Sequence, residues 1–214
     1  MQIQRLIPNT FTMLNLFSGI MAILYIQNEN FWGGLLFMLA GIGFDFFDGF
    51  FARIFKVTGP LGIQLDSLAD AVTSGLAPGL IMYKLIENTL GTDNNSFFSS
   101  NEFSISELQS LIPFLGFLIT IAAIYRLAKF NISEDQKHHF VGLPTPANAI
   151  FIAGLALVIT DDQFTLVNYI DTTWFLLIVT LLSCYIMNSK LNLFALKFKS
   201  YDFNSNKLRY LFIA

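Results

Sequence analysis

The chain has 214 residues, of which 54% are hydrophobic and only 13% are charged. A soluble domain normally carries about 25% charged residues, so this composition argues against an ordinary soluble protein and indicates a chain that lies in lipid. The formal net charge of −3 leaves no basic excess, which argues against a nucleic-acid-binding protein. The single cysteine, Cys184, lies in an apolar stretch and has no second cysteine in the chain with which to form a disulfide bond.

Six apolar stretches follow one another along the chain. A bilayer core of ~30 Å requires roughly 20 mostly apolar residues in a helix. The candidate spans are residues 8–27, 31–55, 62–83, 111–130, 143–160 and 170–187. The sequence therefore predicts an all-α, polytopic membrane helix bundle, and we expect residues 1–214 to form one integral membrane domain. A further span is predicted to begin at Leu208.

The distribution of charge predicts how the bundle is oriented. With six spans and the N-terminus inside, 11 of the 12 Lys and Arg residues fall on the inner side and only Lys84 falls outside. Basic residues favour cytoplasmic loops, so we expect a multi-pass protein of the cytoplasmic membrane. Residues 87–110 are polar and are predicted to form a long outer loop with a short surface helix from Ser106. Residues 189–207 carry scattered lysines and are predicted to lie along anionic headgroups.

Four aspartates lie within the second and third predicted spans. A charged side chain in a membrane helix costs roughly 2.5–3.5 kcal/mol on insertion scales, so such residues usually serve a function. On a helix, Asp45 and Asp48 share one face, as do Asp66 and Asp70. The short connection between the spans predicts a hairpin whose aspartate pairs point at each other near its inner end. Clustered carboxylates are ligands of hard cations such as Mg²⁺, Mn²⁺ or Ca²⁺, so the sequence predicts a divalent-metal site facing the cytoplasm.

Small and basic residues accompany these aspartates. Gly49 and Ala52 follow the aspartates of the second span, and Gly62 precedes those of the third. Such residues leave room for a bulky ligand, although they are also typical of close packing between membrane helices. Arg53 adds a planar positive group that suits phosphate.

The fixed positions of this segment resemble the signature of the CDP-alcohol phosphatidyltransferases. From Asp45 to Asp70 the sequence matches D-x-x-D-G-x-x-A-R-x8-G-x-x-x-D-x-x-x-D without a departure. The segment from Ile7 to Asn15 is similar to the start of the family's first helix, and the six-span plan agrees with that of the family. The resemblance implies a metal-dependent transfer of a phosphatidyl group from a CDP-lipid to a small hydroxyl acceptor, by a homodimer.

Within that family, three further stretches are most similar to the membrane-embedded phosphatidylserine synthases. They are residues 64–70, 126–131 and 142–148. This likeness implies CDP-diacylglycerol and L-serine as substrates, and phosphatidylserine and CMP as products.

The resemblance also implies a role for each residue of the motif. Asp45, Asp48 and Asp66 would bind two divalent metal ions, Mg²⁺ or Mn²⁺, with Asp70 also at the site. Asp70 is the family's candidate base, which takes the proton from the attacking hydroxyl. The residues implied to bind the CDP-lipid are Gly49, Ala52, Arg53, Gly62 and Asn15. Asn15 is equally suited to be a hydrogen-bonded polar residue between helices.

The acceptor site is predicted at the inner ends of the fourth and fifth spans. Arg126 is suited to form two parallel hydrogen bonds with a serine carboxylate. Arg126 and Lys129 are equally suited to anchor a helix end at the headgroups. His138 and His139, in the loop between these spans, are predicted to be solvated. The predicted acceptor-binding residues are Arg126, Lys129, Asn131, Thr145 and Asn148.

Two alternatives remain open at the level of sequence. The same chemistry could use glycerol 3-phosphate or inositol phosphate as acceptor, with Lys56, Arg126 and Lys129 binding the phosphate. A protein of another class, a cation transporter with an aspartate site, is the second alternative. A transporter needs a polar path to both faces, and the outer halves of the second and third spans are almost purely apolar.

Overall fold

The structure is a computed structural model that describes residues 2–57, 59–91, 109–132, 142–161 and 167–189. Every regular element within these ranges is helical, which confirms the predicted all-α fold. Two elements depart from α-helical geometry, a π-helical turn at Ala71–Leu76 and a 3₁₀ turn at Ile112–Phe117. The α-helices are α1 (Gln2–Gln27), α2 (Phe31–Phe55), α3 (Pro60–Asp70), α4 (Ala77–Leu90), α5 (Leu118–Ile132), α6 (Thr145–Ile159), α7 (Val167–Ile170) and α8 (Thr173–Asn188).

Helices long and apolar enough to cross a membrane confirm a helical membrane bundle. Within the described ranges there are three such helices, Leu6–Gln27, Phe31–Phe55 and Ile112–Ile132. Two shorter apolar helices, α6 and α8, have 15 and 16 residues. The third predicted span is helical from Pro60 to Leu90, but the π-helical turn divides it into α3 and α4. The chain is therefore a membrane protein.

Several predicted boundaries are wrong. α1 begins at Gln2 rather than at position 8, so Pro8 lies inside the helix instead of starting it. α4 continues into the predicted outer loop as far as Leu90 and ends at Gly91, whose φ of +61° favours glycine. α8 begins three residues late, because Thr172 is extended and separates it from α7.

Other predictions lie outside the described residues. These are the span from Leu208, the start of the surface helix at Ser106, the solvated His138 and His139, and the headgroup-bound loop after residue 189.

Pro78, two residues after the end of the π-helical turn, explains why the turn forms. Pro78 has no backbone N–H, so the carbonyl of Ser74 lacks its usual donor four residues later. The chain instead forms the wider i to i+5 pattern, in which the N–H of Ala77 bonds to the carbonyl of Val72. Oγ1 of Thr120, on α5, donates a hydrogen bond of 3.0 Å to the carbonyl of Gly75 within this turn.

α4 forms a large part of the buried apolar core. Ile81, Met82, Leu85 and Ile86 of α4 are fully buried or nearly so, and they pack with Ile26 at the end of α1. α1 packs along α2 and also contacts α3 and the π-helical turn. The polar side chains of α1 are thereby placed beside the aspartates of α2 and α3.

Candidate active site

Three carboxylates from two helices meet near one end of the bundle. Asp45 and Asp48 lie in the second half of α2, and Asp66 lies in α3. One carboxylate oxygen of each residue lies within 4.8 Å of the other two. Asp48 is buried, whereas Asp45 and Asp66 are half-buried. The predicted convergence of the two helices is therefore confirmed for these three aspartates.

Polar side chains of α1 form hydrogen bonds with one aspartate of α2 and one of α3. Oγ1 of Thr12 donates a hydrogen bond of 2.6 Å to Oδ2 of Asp48. Nδ2 of Asn15 donates one of 3.1 Å to Oδ1 of Asp70, the last residue of α3. One aspartate from each helix is thus oriented by α1.

A narrow cleft opens on one side of the cluster, between α1, α2 and the start of α3. Its volume is about 480 Å³, including its open mouth. Gly49, Ala52 and Gly62 line it together with Asp48 and Asp66. A Cβ atom added to Gly49 would meet no atom within 4 Å, so this glycine leaves open space rather than a close helix contact. This observation favours room for a ligand over helix packing as the reason for glycine at this position.

A wide cleft of about 1480 Å³, including its open mouth, lies on the other side, between α3, α5 and the start of α6. Asp45, Asp66 and Asp70 line it, so Asp66 belongs to both clefts. Arg126 of α5 also lines the wide cleft, and its Nε atom is buried without a hydrogen-bond partner among the described residues. The remaining polar residues that line it are Ser67, Asn131 and Thr145.

Four residues that the sequence predicts to bind a substrate do not line either cleft. Arg53 is exposed, and its Nε donates a hydrogen bond of 2.9 Å to the backbone carbonyl one turn earlier. Lys129 is exposed near the end of α5. Asn15 and Asn148 are fully buried, and neither amide atom of Asn148 has a hydrogen-bond partner in the described part of the chain. Their contacts with a substrate stay predictions.

The structure adds two threonines that the sequence analysis does not identify. Thr12 contacts Asp48, and Thr73 of the π-helical turn donates a hydrogen bond of 2.8 Å to Oδ1 of Asn15. A signal exists for Thr12, because it lies three residues before Asn15 on the same face of an apolar helix. No local signal exists for Thr73, because its position depends on the wider geometry of the π-helical turn.

The donor set fits a hard divalent cation. None of the four aspartates forms a salt bridge with a Lys or Arg among the described residues. Oδ1 of Asp66 is buried and has no hydrogen-bond partner there. Carboxylates at this spacing repel one another, and a divalent cation with oxygen ligands relieves both the repulsion and the missing contact.

Comparison with known proteins agrees with this geometry. Residues 5–186 match the family model described as CDP-alcohol phosphatidyltransferase. A CDP-diacylglycerol–serine O-phosphatidyltransferase of Bacillus subtilis is 32% identical over 162 residues, which cover 74% of this chain and 76% of the relative. A protein of the same name from Helicobacter pylori strain J99 is 31% identical over 161 residues, with coverages of 74% and 60%. An archaetidylserine synthase of Methanothermobacter thermautotrophicus is 28% identical over 156 residues, with coverages of 71% and 58%.

The match to the family model includes the aspartate motif, both clefts and the helices that form them. The aligned segment spans three quarters of the Bacillus relative but only about three fifths of the Helicobacter one. The family uses a divalent metal, and the cluster of Asp45, Asp48 and Asp66 is compatible with one. The family model covers most of the length of this chain, and the chain therefore belongs to the CDP-alcohol phosphatidyltransferase family.

Proposed function

We propose that this protein transfers the phosphatidyl group of CDP-diacylglycerol to the hydroxyl of L-serine, which gives phosphatidylserine and CMP. The observation that carries the proposal is the meeting of two different clefts at one cluster of carboxylates. A transfer between two substrates needs both of them beside the same reactive centre. The names of the relatives support serine as the acceptor.

The narrow cleft is the proposed site of the CDP-lipid headgroup. Gly49 and Gly62 leave backbone exposed there, so a diphosphate and a nucleoside can come close to α2 and α3. Asp45, Asp48 and Asp66 would hold Mg²⁺ or Mn²⁺. When bound, the metal would neutralise charge on the diphosphate and on the departing CMP.

The wide cleft is the proposed site of the acceptor. Arg126 is the only Lys or Arg among its described lining residues. A guanidinium group pairs well with one carboxylate through two parallel hydrogen bonds. The buried Nε of Arg126, which has no partner among the described residues, is one donor for such a pair. An amino acid fits a cleft with a single cation better than a phosphate-bearing alcohol does.

Asp70 is the proposed base. It lines the wide cleft, where the acceptor hydroxyl would lie, and it is fixed by the hydrogen bond from Asn15. The serine oxygen would form a bond to the phosphorus that carries the diacylglycerol. The bond from that phosphorus to CMP would break, and Asp70 would take the serine hydroxyl proton.

Glycerol 3-phosphate or inositol phosphate remains the second candidate acceptor within the same chemistry. Lys129, which the sequence analysis considered as a phosphate ligand, is exposed and does not line the wide cleft. Lys56 does not line it either. These positions support serine over a phosphate-bearing acceptor.

The decisive experiment uses purified protein in detergent with CDP-diacylglycerol and Mn²⁺ or Mg²⁺. L-serine, glycerol 3-phosphate and inositol phosphate are added separately, and both CMP and the lipid product are identified by mass spectrometry. We expect phosphatidylserine and CMP in equal amounts, and no release of CMP once the metal is chelated. If CMP were released only with a phosphate-bearing acceptor, that acceptor rather than serine would be the substrate. No release with any acceptor, in a folded and metal-loaded sample, would contradict the enzymatic function.

We further propose that the site faces the cytoplasm in the cell membrane and that the protein is a homodimer. The orientation rests on the distribution of Lys and Arg, and the dimer rests on the family resemblance alone. Asn95→Cys and Gln136→Cys, in a Cys184→Ser background, test the orientation in intact cells. Labelling from outside is expected at position 95 and not at 136, and the reverse result would contradict the orientation. Light scattering in detergent measures the oligomeric state.

A further inference from the structure

We propose that Asn15 and Thr73 form a hydrogen-bonded pair that positions Asp70 to receive the proton of the acceptor hydroxyl. The proposal rests on the function proposed above, because that function gives Asp70 its role as the base. Neither Asn15 nor Thr73 lines either cleft, so both are positioning residues that act through Asp70.

The three side chains form a continuous series of hydrogen bonds. Oγ1 of Thr73 donates to Oδ1 of Asn15 over 2.8 Å, and Nδ2 of Asn15 donates to Oδ1 of Asp70 over 3.1 Å. Asn15 and Thr73 are both fully buried. The series therefore runs from the π-helical turn through α1 and back to the end of α3.

The chemistry of the two ends determines which way the amide of Asn15 faces. An ionised carboxylate only accepts hydrogen bonds, so the NH₂ group must face Asp70. A hydroxyl can donate, and Thr73 supplies the proton that Oδ1 of Asn15 needs. A flipped amide would place two oxygens against each other at Asp70. The carboxylate of Asp70 thus selects the donor orientation of Asn15, and the hydroxyl of Thr73 stabilises that orientation by donating to Oδ1. The same hydroxyl lies 3.2 Å from the backbone carbonyl of Asn15, which is a second acceptor.

Two glycines close the space around this pair. A Cβ atom on Gly41 of α2 would lie 2.7 Å from Cγ2 of Thr73 and 2.9 Å from Oδ1 of Asn15. A Cβ atom on Gly19 of α1 would collide with the hydroxyl of Thr73. The side chains of Asn15 and Thr73 therefore occupy the space that these two glycines leave between α1, α2 and the π-helical turn.

The consequence for Asp70 is that its two oxygens have different environments. Oδ1 accepts the hydrogen bond from Asn15. The proposal therefore assigns the acceptor proton to Oδ2, the oxygen that this hydrogen bond leaves free. A base must lie within hydrogen-bond reach of the hydroxyl it deprotonates, so a carboxylate that rotates freely would be less effective.

The test compares Thr73→Val, which replaces the hydroxyl with a methyl group, with Thr73→Ser, which keeps it. We expect Thr73→Val to lower kcat roughly 10- to 100-fold, as for partners that orient reactive groups, with both KM values within about twofold. Thr73→Ser is expected to restore most of kcat. Thr120→Val is the matched control, because it removes a hydroxyl of α5 that bonds to the same π-helical turn. It is expected to retain kcat.

Two results of this comparison would overturn the proposal. One is a wild-type kcat in folded Thr73→Val. The other is an equal loss in Thr73→Val, Thr73→Ser and Thr120→Val, which would indicate general damage to the turn.

A second measurement needs no activity. In thermal unfolding, Asn15→Ala and Thr73→Val are expected to give non-additive shifts of the midpoint when combined, because residues in contact are coupled. Additive shifts would overturn the pairing even in an active enzyme. If wild type releases no CMP with any acceptor, the proposed function fails and the positioning role fails with it, while non-additive shifts would still support the Asn15–Thr73 pair. If wild type is active and folded Thr73→Val is equally active, only the further inference fails.

Discussion

The two clefts meet at Asp66 but differ in size and in how their polar groups are paired. In the narrow cleft of about 480 Å³, Asp48 already accepts a hydrogen bond from Thr12, and glycines leave open space. In the wide cleft of about 1480 Å³, Arg126 presents a buried nitrogen without a partner among the described residues. The narrow side therefore offers open space beside a carboxylate that α1 orients, whereas the wide side offers a buried cation with which a ligand can pair.

The largest effect is expected at the proposed base, Asp70, which lines the wide cleft. Asp70→Asn keeps the shape of the side chain but removes its ability to take a proton. We expect kcat for CMP release to fall roughly 10²- to 10⁴-fold, the range typical of a general base. The KM for CDP-diacylglycerol should change little, because Asp70 does not line the narrow cleft. A kcat within threefold of wild type would contradict the role of Asp70 as the base.

Arg126→Met is expected to weaken the binding of the acceptor in the wide cleft alone. The change keeps much of the length of the side chain and removes its charge. A hydrogen bond to a charged group contributes about 1.5–3 kcal/mol, so the KM for serine should rise roughly 10- to 100-fold. Arg126→Lys is the matched control, because it keeps the charge without the planar pair of donors, and an intermediate KM is expected. An unchanged serine KM in Arg126→Met would place the acceptor elsewhere.

Gly49→Leu is expected to weaken the binding of CDP-diacylglycerol in the narrow cleft alone. A Cβ at position 49 meets no atom within 4 Å, and the rest of the leucine side chain would occupy the cleft, so the KM for CDP-diacylglycerol should rise roughly 20-fold. Gly43→Leu is the matched control, because a Cβ at position 43 also meets nothing within 4 Å and Gly43 lies outside both clefts. Equal KM values in the two variants would argue against the narrow cleft as the lipid headgroup site.

The smallest effect is expected at the hydrogen bond that orients Asp48. Thr12→Val removes a donor of about 0.5–1.5 kcal/mol, so Mn²⁺ should bind roughly three- to tenfold more weakly, as measured by electron paramagnetic resonance. Thr180→Val is the control, because the hydroxyl of Thr180 bonds, among the described residues, to the backbone of its own helix alone. Identical Mn²⁺ affinity in wild type and Thr12→Val would separate Thr12 from the metal site.

The sequence predicts the features that depend on local pattern. Apolar length predicts the helical bundle, and the bounds of α2 match the prediction at both ends. The i, i+3 and i, i+4 spacings predict that Asp45, Asp48 and Asp66 converge, which the 4.8 Å grouping confirms. The sequence alone could not distinguish room for a ligand from close helix packing as the reason for glycine at position 49, because small residues serve both purposes.

Features that depend on tertiary contacts were not predictable. The π-helical turn places Thr73 against Asn15. The one local feature of the sequence that indicates this turn is Pro78, and a proline also occurs at simple helix kinks. The partner of an amide is likewise absent from the sequence: Asn15 suits either the CDP-lipid or a polar contact between helices, and in the structure it bonds to Asp70. Helix ends were misplaced where a glycine or an extended residue, rather than hydropathy, decides them.

The most direct test of two separate clefts is the kinetics of the double variant Gly49→Leu/Arg126→Met. Both KM values are measured in wild type, each single variant and the double variant. Changes at distant sites usually add, so each KM in the double variant should equal that of the corresponding single variant, with one substrate affected by each change. If each single change raised both KM values, or the double variant were strongly non-additive, the two substrates would share one cleft and the account would be contradicted.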